Sequence, residues 1–140
     1  MKRSILIFVF AAMMFVAGSQ TIVAQQTRRL RESPKAFQTF FAKFKAAVEK
    51  SDKTAIAAMT KFPFKYGFDA GDEGTMTREQ FVRRFADVFG ESPKQFLPEK
   101  NPRVRKNKDN SYTVSTEDAA HLLFEPSGGG FKFAALMVEP

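Results

Sequence analysis

The chain has 140 residues, with 22 Lys and Arg against 15 Asp and Glu for a net charge of +7, 17 phenylalanines, one histidine and no cysteine. That length suits one domain around one core. The missing thiols exclude disulfides, a thiol nucleophile and thiolate metal ligands, and a single histidine leaves no ordinary transition-metal set.

Residues 1–24 read as a secretory signal. Met1-Lys2-Arg3 gives a positive start, Ile5–Ala17 an apolar run of thirteen residues, and Ile22-Val23-Ala24 a cleavage site. Cleavage after Ser19 fits as well. An uncleaved anchor is the alternative, disfavoured because a membrane span needs about 20 apolar residues. No cysteine stands near the cut, so a lipid anchor there is excluded. Removing 24 residues leaves 116 and lowers the net charge to +5. The expected address is the periplasm or the medium, with no stable membrane anchor after cleavage.

Residues 25–32 (QQTRRLRE) are polar and basic, the pattern of a disordered leader. A single domain is expected over 33–140. Ser33-Pro34 reads as a capped helix start, and Phe37, Phe40, Phe41, Phe44 and Val48 follow at helical spacing. Ser51-Asp52 marks a break and a second cap, and the alanine-rich stretch 53–61 predicts a short helix. The period then changes from 3.6 to 2. Phe62, Phe64, Tyr66 and Phe68 share one face of a predicted strand, which Pro63 marks as an edge or a strand start.

Residues 69–76 (DAGDEGTM) read as a polar loop. Thr77-Arg78-Glu79-Gln80 has the pattern of a capping box. Phe81, Val82, Phe85, Val88 and Phe89 form the apolar stripe of the helix it starts, and Gly90 ends that helix. Pro93, Pro98 and Pro102 make 91–103 a loop. Strands are predicted over 103–107, 111–116, 119–125 and 131–138, with a turn at Asp109-Asn110 and a hairpin at Pro126–Gly130.

This order of elements, with FQTFFAKFKAAVEKSDKTAIAAMTKFPF at 37–64 and HLLFEPSGGGFKFAALMV at 121–138, resembles the NTF2-like (SnoaL-like, cystatin-like) superfamily, here an exported bacterial member. The resemblance covers nearly all of the mature chain. It departs at Phe131, where family members often carry Trp. It implies an α+β cone in which N-terminal helices pack on a curved antiparallel sheet, with Phe62, Phe64 and Phe68 facing inward. Related folds include isomerases, dehydratases and hydrolases as well as binding and scaffold proteins, so the fold does not choose an activity. None of the family's catalytic motifs matches residue by residue, and no catalytic role is carried over.

Rings at strand period are more often packing than a ligand box. The alternative is an apolar pocket inside the cone, lined by Phe41, Phe44, Phe64, Tyr66, Phe68, Phe85 and His121. His121 reads first as a hydrogen-bonded structural histidine and second as a pocket acid or base with Tyr66 and Asp69 as partners. Tyr66 reads first as a hydroxyl reaching the rim of the core. Ser111, Ser115 and Ser127 lie in ordinary strand or turn contexts, without a G-x-S-x-G motif. Asp69, Asp72 and Glu73 form a solvated acidic turn, not a calcium loop. No phosphate loop or dinucleotide fingerprint is present, so no metal and no cofactor is expected.

Two basic groups stand out: Arg28, Arg29 and Arg31, and then Lys100, Arg103, Arg105, Lys106 and Lys108. The second lacks interleaved aromatics for base stacking and reads as a strand guarded by charge, so nucleic acid is not an expected partner. The function expected from the sequence is an exported, non-catalytic domain that binds a small apolar ligand or a protein partner, with homodimer formation through the sheet face also open. A periplasmic isomerase, dehydratase or hydrolase using His121 and Tyr66 is the alternative.

Overall fold

The computed structural model describes residues 27–68, 71–91, 97, 100–117 and 119–139. The expected signal therefore lies outside the described residues. Helix α1 (Lys35–Glu49) carries the first aromatic stripe and buries Phe37, Phe41, Phe44, Ala47 and Val48. Ser33 does not cap it. Its hydroxyl donates backward to the Leu30 carbonyl, and Pro34 occupies the cap position. Helix α2 (Lys53–Ala58) is capped by Asp52, which accepts from the Ala55 amide at 3.0 Å. It ends three residues earlier than its composition predicts. Thr60 already belongs to strand β2 (Thr60–Gly67), and its buried hydroxyl donates to the Ile56 carbonyl at 2.7 Å.

Strand β3 (Glu73–Met76) corrects the expectation of a loop over 69–76: it pairs antiparallel with Phe64–Gly67 of β2. Only Met76 of its four residues is buried, too little apolar pattern to signal a strand. The Thr77–Gln80 capping box forms as expected: the Gln80 amide donates to the Thr77 hydroxyl at 3.2 Å, and Gln80 Oε1 accepts from the Thr77 amide at 2.9 Å. The predicted single helix divides at Arg84 into α3 (Arg78–Arg83) and α4 (Phe85–Phe89). Phe81, Phe85, Val88 and Phe89 still face the core, while Val82 lies exposed.

Strands β4 (Arg103–Lys106), β5 (Tyr112–Ser115), β6 (Ala120–Ser127) and β7 (Gly130–Val138) follow as a meander. Gly128 and Gly129 take φ values of +54° and +82° in the β6–β7 turn, the region that favours glycine. Strand β1 (Thr27–Arg29) corrects the reading of 25–32 as a disordered leader. It pairs with β4, and the 3-10 turn Leu30–Glu32 follows it, tied by Leu30 N–H donating to the Pro102 carbonyl at 3.0 Å. Backbone bonds hold this edge together with Arg29 Nη1 donating to the Asn101 carbonyl at 3.1 Å, and only Leu30 beside it packs on the core, so no hydrophobic pattern announces it.

The seven strands form one curved sheet in the order β1-β4-β5-β6-β7-β2-β3, antiparallel throughout except for the parallel β2–β7 pair. Pro63 sits in an irregular stretch of the β2–β7 pairing, between Thr60 and Lys65, so β2 tolerates it one strand in from the edge. A second irregularity separates Leu123 from Phe124 along β6–β7. Such bulges bend strands and add twist.

Among the described residues the helices cover one face only. Phe37 stacks on Tyr112 at 4.4 Å, Phe44 and Phe64 both meet Phe133 (4.9 and 4.8 Å), and Phe64 meets Phe81 at 5.0 Å. Each fully buried phenylalanine contributes about 2–3 kcal/mol by removal of apolar area from water. The aromatic residues of β2 thus belong mainly to packing.

Candidate functional site

Among the described residues the opposite face of the sheet has no helix. Strand alternation places every second residue there. Register then aligns those residues into two rows across five strands. The first runs Arg103–Ser115–His121–Met137–Gly67, and the second Arg105–Thr113–Leu123–Ala135–Lys65. Four steps of about 4.8 Å put the backbones of Arg105 and Lys65 about 19 Å apart. Between these ends lies an open groove with a volume of about 880 Å³. Met137 is 42% exposed and forms part of its lining. A Cβ at Gly67 would stand 2.8 Å from the Met137 sulfur, so the bare glycine is what lets that side chain lie across β2.

The groove is chemically graded. Arginine stands on β4, hydroxyls on β5, imidazole and leucine on β6, and alanine and methionine on β7. Lys65, Arg103, Arg105 and Lys108 line it and have no ion-pair partner among the described residues. Its two acids are otherwise engaged. Asp109 accepts from the Ser111 hydroxyl at 2.6 Å and the Ser111 amide at 3.0 Å. The hydroxyl bond first, then the amide bond, holds the Asp109 carboxyl below its ordinary pKa. Asn107 continues this network, donating to Ser111 Oγ (2.8 Å) and Thr113 Oγ1 (3.1 Å).

Glu139 is the second acid. Its Oε1 lies 3.2 Å from His121 Nε2, inside ion-pair distance but off the line of a hydrogen bond, and Nε2 is buried without a hydrogen-bond partner. The other ring nitrogen, Nδ1, is 2.9 Å from Ser115 Oγ. His121, hydrogen-bonded to Ser115 and beside Glu139, can act as an acid or base, and the cations near it can hold an anion. Among the described residues no group of three or more His, Asp or Glu side chains could hold a metal ion.

Of the residues proposed as pocket-lining or catalytic, only His121 lies in this groove; Ser111, Ser115, Arg103, Arg105 and Lys108, which the sequence reads as ordinary turn, strand or edge-guarding residues, line it as well. Phe41, Phe44, Phe64 and Phe85 are buried among other rings on the helix side. Tyr66 and Phe68 are half-buried on that side and stack on each other at 5.1 Å. His121 and Tyr66 do not converge. His121 pairs with Met137, whereas Tyr66 pairs with Leu136, one residue along β7 and therefore on the other face. Tyr66 finds a different partner, the Arg84 guanidinium, 5.6 Å over its ring. Asp87, first, and then Tyr66 hold that guanidinium charged, raising its pKa. Asp69 lies outside the described residues. The partners of His121 that the sequence misses, Ser115 and Glu139, stand six and eighteen positions away, and only strand register brings them together. The one legible signal for the cationic wall is the period-2 spacing of Arg103 and Arg105.

No family model matches the chain, and no curated protein matches it. Solved structures do. The chain is similar to ActVI-ORFA from Streptomyces coelicolor at 12% identity and a TM-score of 0.50, over 72% of this chain and 92% of that one. It is also similar to an NTF2-like protein of unknown function from Pseudomonas putida (10% identity, TM-score 0.45, 71% and 80% covered). A protein of unknown function with a cystatin-like fold from Nostoc punctiforme gives 13% identity, a TM-score of 0.44, and 74% and 87% coverage. The chain shares the fold of ActVI-ORFA, an α+β arrangement of helices on a curved sheet as expected from the order of its elements. At such identities the likeness concerns the fold alone.

Proposed function

We propose that the chain is an exported, non-catalytic binding domain that takes its ligand or partner on the helix-free face of the sheet. One observation carries this reading: the helix side is packed ring against ring, while the opposite face keeps a groove of about 880 Å³ edged by cations that have no ion-pair partner among the described residues. Export rests on the charged start, the short apolar run and the small-residue cleavage site. Face-to-face pairing of two copies is disfavoured, because it would bring the Lys65, Arg103 and Arg105 ends of both sheets together.

Native mass spectrometry of protein purified from its own export compartment tests both halves of the proposal. The expected result is a chain beginning at Gln25, monomeric, with a reproducible extra mass released on denaturation. A bare chain still beginning at Met1 would overturn it.

A second reading has one observation in its favour, the contact line Ser115–His121–Glu139. It makes the groove a hydrolase or isomerase site with His121 as acid or base. It no longer includes Tyr66. Turnover of any ester or enolisable ketone that His121→Ala abolishes while the fold survives would favour it over simple binding.

A further inference from the structure

We propose that the groove is a site for a single-headed organic anion, a carboxylate-bearing amphiphile with its head at Arg103 and Arg105 and its body over Leu123, Ala135 and Met137. This rests on the reading that the helix-free face is the binding face, and it adds the chemistry of the occupant.

Arg103 and Arg105 project from the same side of β4, about 7 Å apart along the strand. Each guanidinium offers a planar fork that matches a carboxylate, and neither is spent on an acid among the described residues. From there the floor loses polarity strand by strand, through Thr113 and Ser115 to Leu123, Ala135 and Met137. A body of low polarity lying across the strands would cover Met137, one of the few large apolar side chains left exposed among the described residues. Lys65 closes the far end. Its aliphatic stem can lie beside Ala135 with the ammonium in water, so it extends the apolar floor without needing a second anion.

Charge also selects against other occupants. A cationic amphiphile would meet Lys65, Arg103, Arg105 and Lys108, and a second copy of the chain would present the same cations. A nucleic acid would find no aromatic ring other than His121 in the groove to stack on. Glu139 is the internal competitor: its carboxylate, 70% exposed and 3.2 Å from His121 Nε2, shares the groove with the proposed head.

The test is titration calorimetry with sodium dodecanoate below its micelle concentration, paired with amide shift mapping. Dodecyltrimethylammonium and inorganic phosphate are the comparators. The expected result is that dodecanoate binds and perturbs Thr113, Ser115, Leu123 and Ala135. Phosphate alone should bind far more weakly and the cation not at all. Arg105→Gln and Arg103→Gln should each weaken dodecanoate about tenfold, the loss of one charge-assisted contact. Glu139→Gln should leave binding as tight or tighter. Both arginines are exposed, so unchanged thermal unfolding of these variants separates lost binding from lost fold.

Absence of dodecanoate binding would overturn the proposal. Equal binding of the cationic comparator at the same amides would overturn the charge assignment and leave the binding face standing. Dodecanoate shifts confined to α1, α3 and α4 would overturn the face itself, and the proposed function with it.

Discussion

The two faces of the sheet are made from alternate residues of the same strands, yet they differ in almost every respect. Phe124 touches Phe37, Phe40, Phe41, Phe44 and Phe133; its neighbour Leu123 lies half-buried in the open groove. Val104 is buried beneath the helices, while Arg103 and Arg105 on either side are exposed. A period of two sorts rings inward and cations and hydroxyls outward. The difference teaches that the aromatic wealth of this chain serves its stability. With no disulfide to supplement a small core, the helix side is filled, and the less apolar face keeps the open groove.

The largest expected effect is a direct break of this contrast. Phe124→Ala should cost about 3–5 kcal/mol in urea unfolding, through lost burial and the cavity left behind. Leu123→Ala, one residue away on the other face, should cost only about 1 kcal/mol, because its side chain is half in water already. Similar losses at the two positions would mean that the open face is also core.

Next come the two glycines that side chains cross. A Cβ at Gly74 would stand 2.8 Å from the Tyr66 hydroxyl and 3.1 Å from its ring, so Gly74→Ala displaces Tyr66 and should cost about 1–3 kcal/mol. Gly67→Ala meets only the flexible Met137 sulfur and should cost less, while pushing Met137 into the groove. Thermal unfolding of the two variants gives the order directly.

Thr77→Ala should cost about 1 kcal/mol by removing a helix cap on the covered side, with no change at the groove. The smallest effect belongs to Asp109 on the open side. Its folded pKa is depressed, so its contribution is fully present above the ordinary carboxylate value and is lost as pH falls through the lower folded value. Asp109→Asn should therefore flatten the acid limb of the stability profile there, measured as unfolding midpoint against pH, and slightly lower stability at neutral pH, where the carboxylate's contribution is present. If the variant keeps the full acid slope, the Ser111 bonds are not responsible for it.

Much of the fold was legible because its signals are local. The stripe of α1, the Asp52 and Thr77 caps, the glycine turn and the alternation of β2 each lie within a few consecutive residues. What escaped depends on long-range pairing. Strand β1 is a basic tripeptide whose structure comes from β4, seventy-odd residues away, and β3 is a polar tetrapeptide whose partner is β2. The site was less legible still. His121 stood out as the lone histidine, but its neighbours are set by the register of five strands, and an alternating strand does not reveal which face the helices will cover. The rings of β2 drew attention to the inside of the cone, whereas the groove with its cations is on the outside.

The central claim is that binding takes place on the helix-free face. The most direct test titrates sodium dodecanoate into the protein and maps the perturbed backbone amides. The account predicts shifts at Thr113, Ser115, His121, Leu123 and Ala135. Shifts concentrated at Phe44, Phe64, Phe81 and Phe85, with those strand residues unmoved, would contradict it.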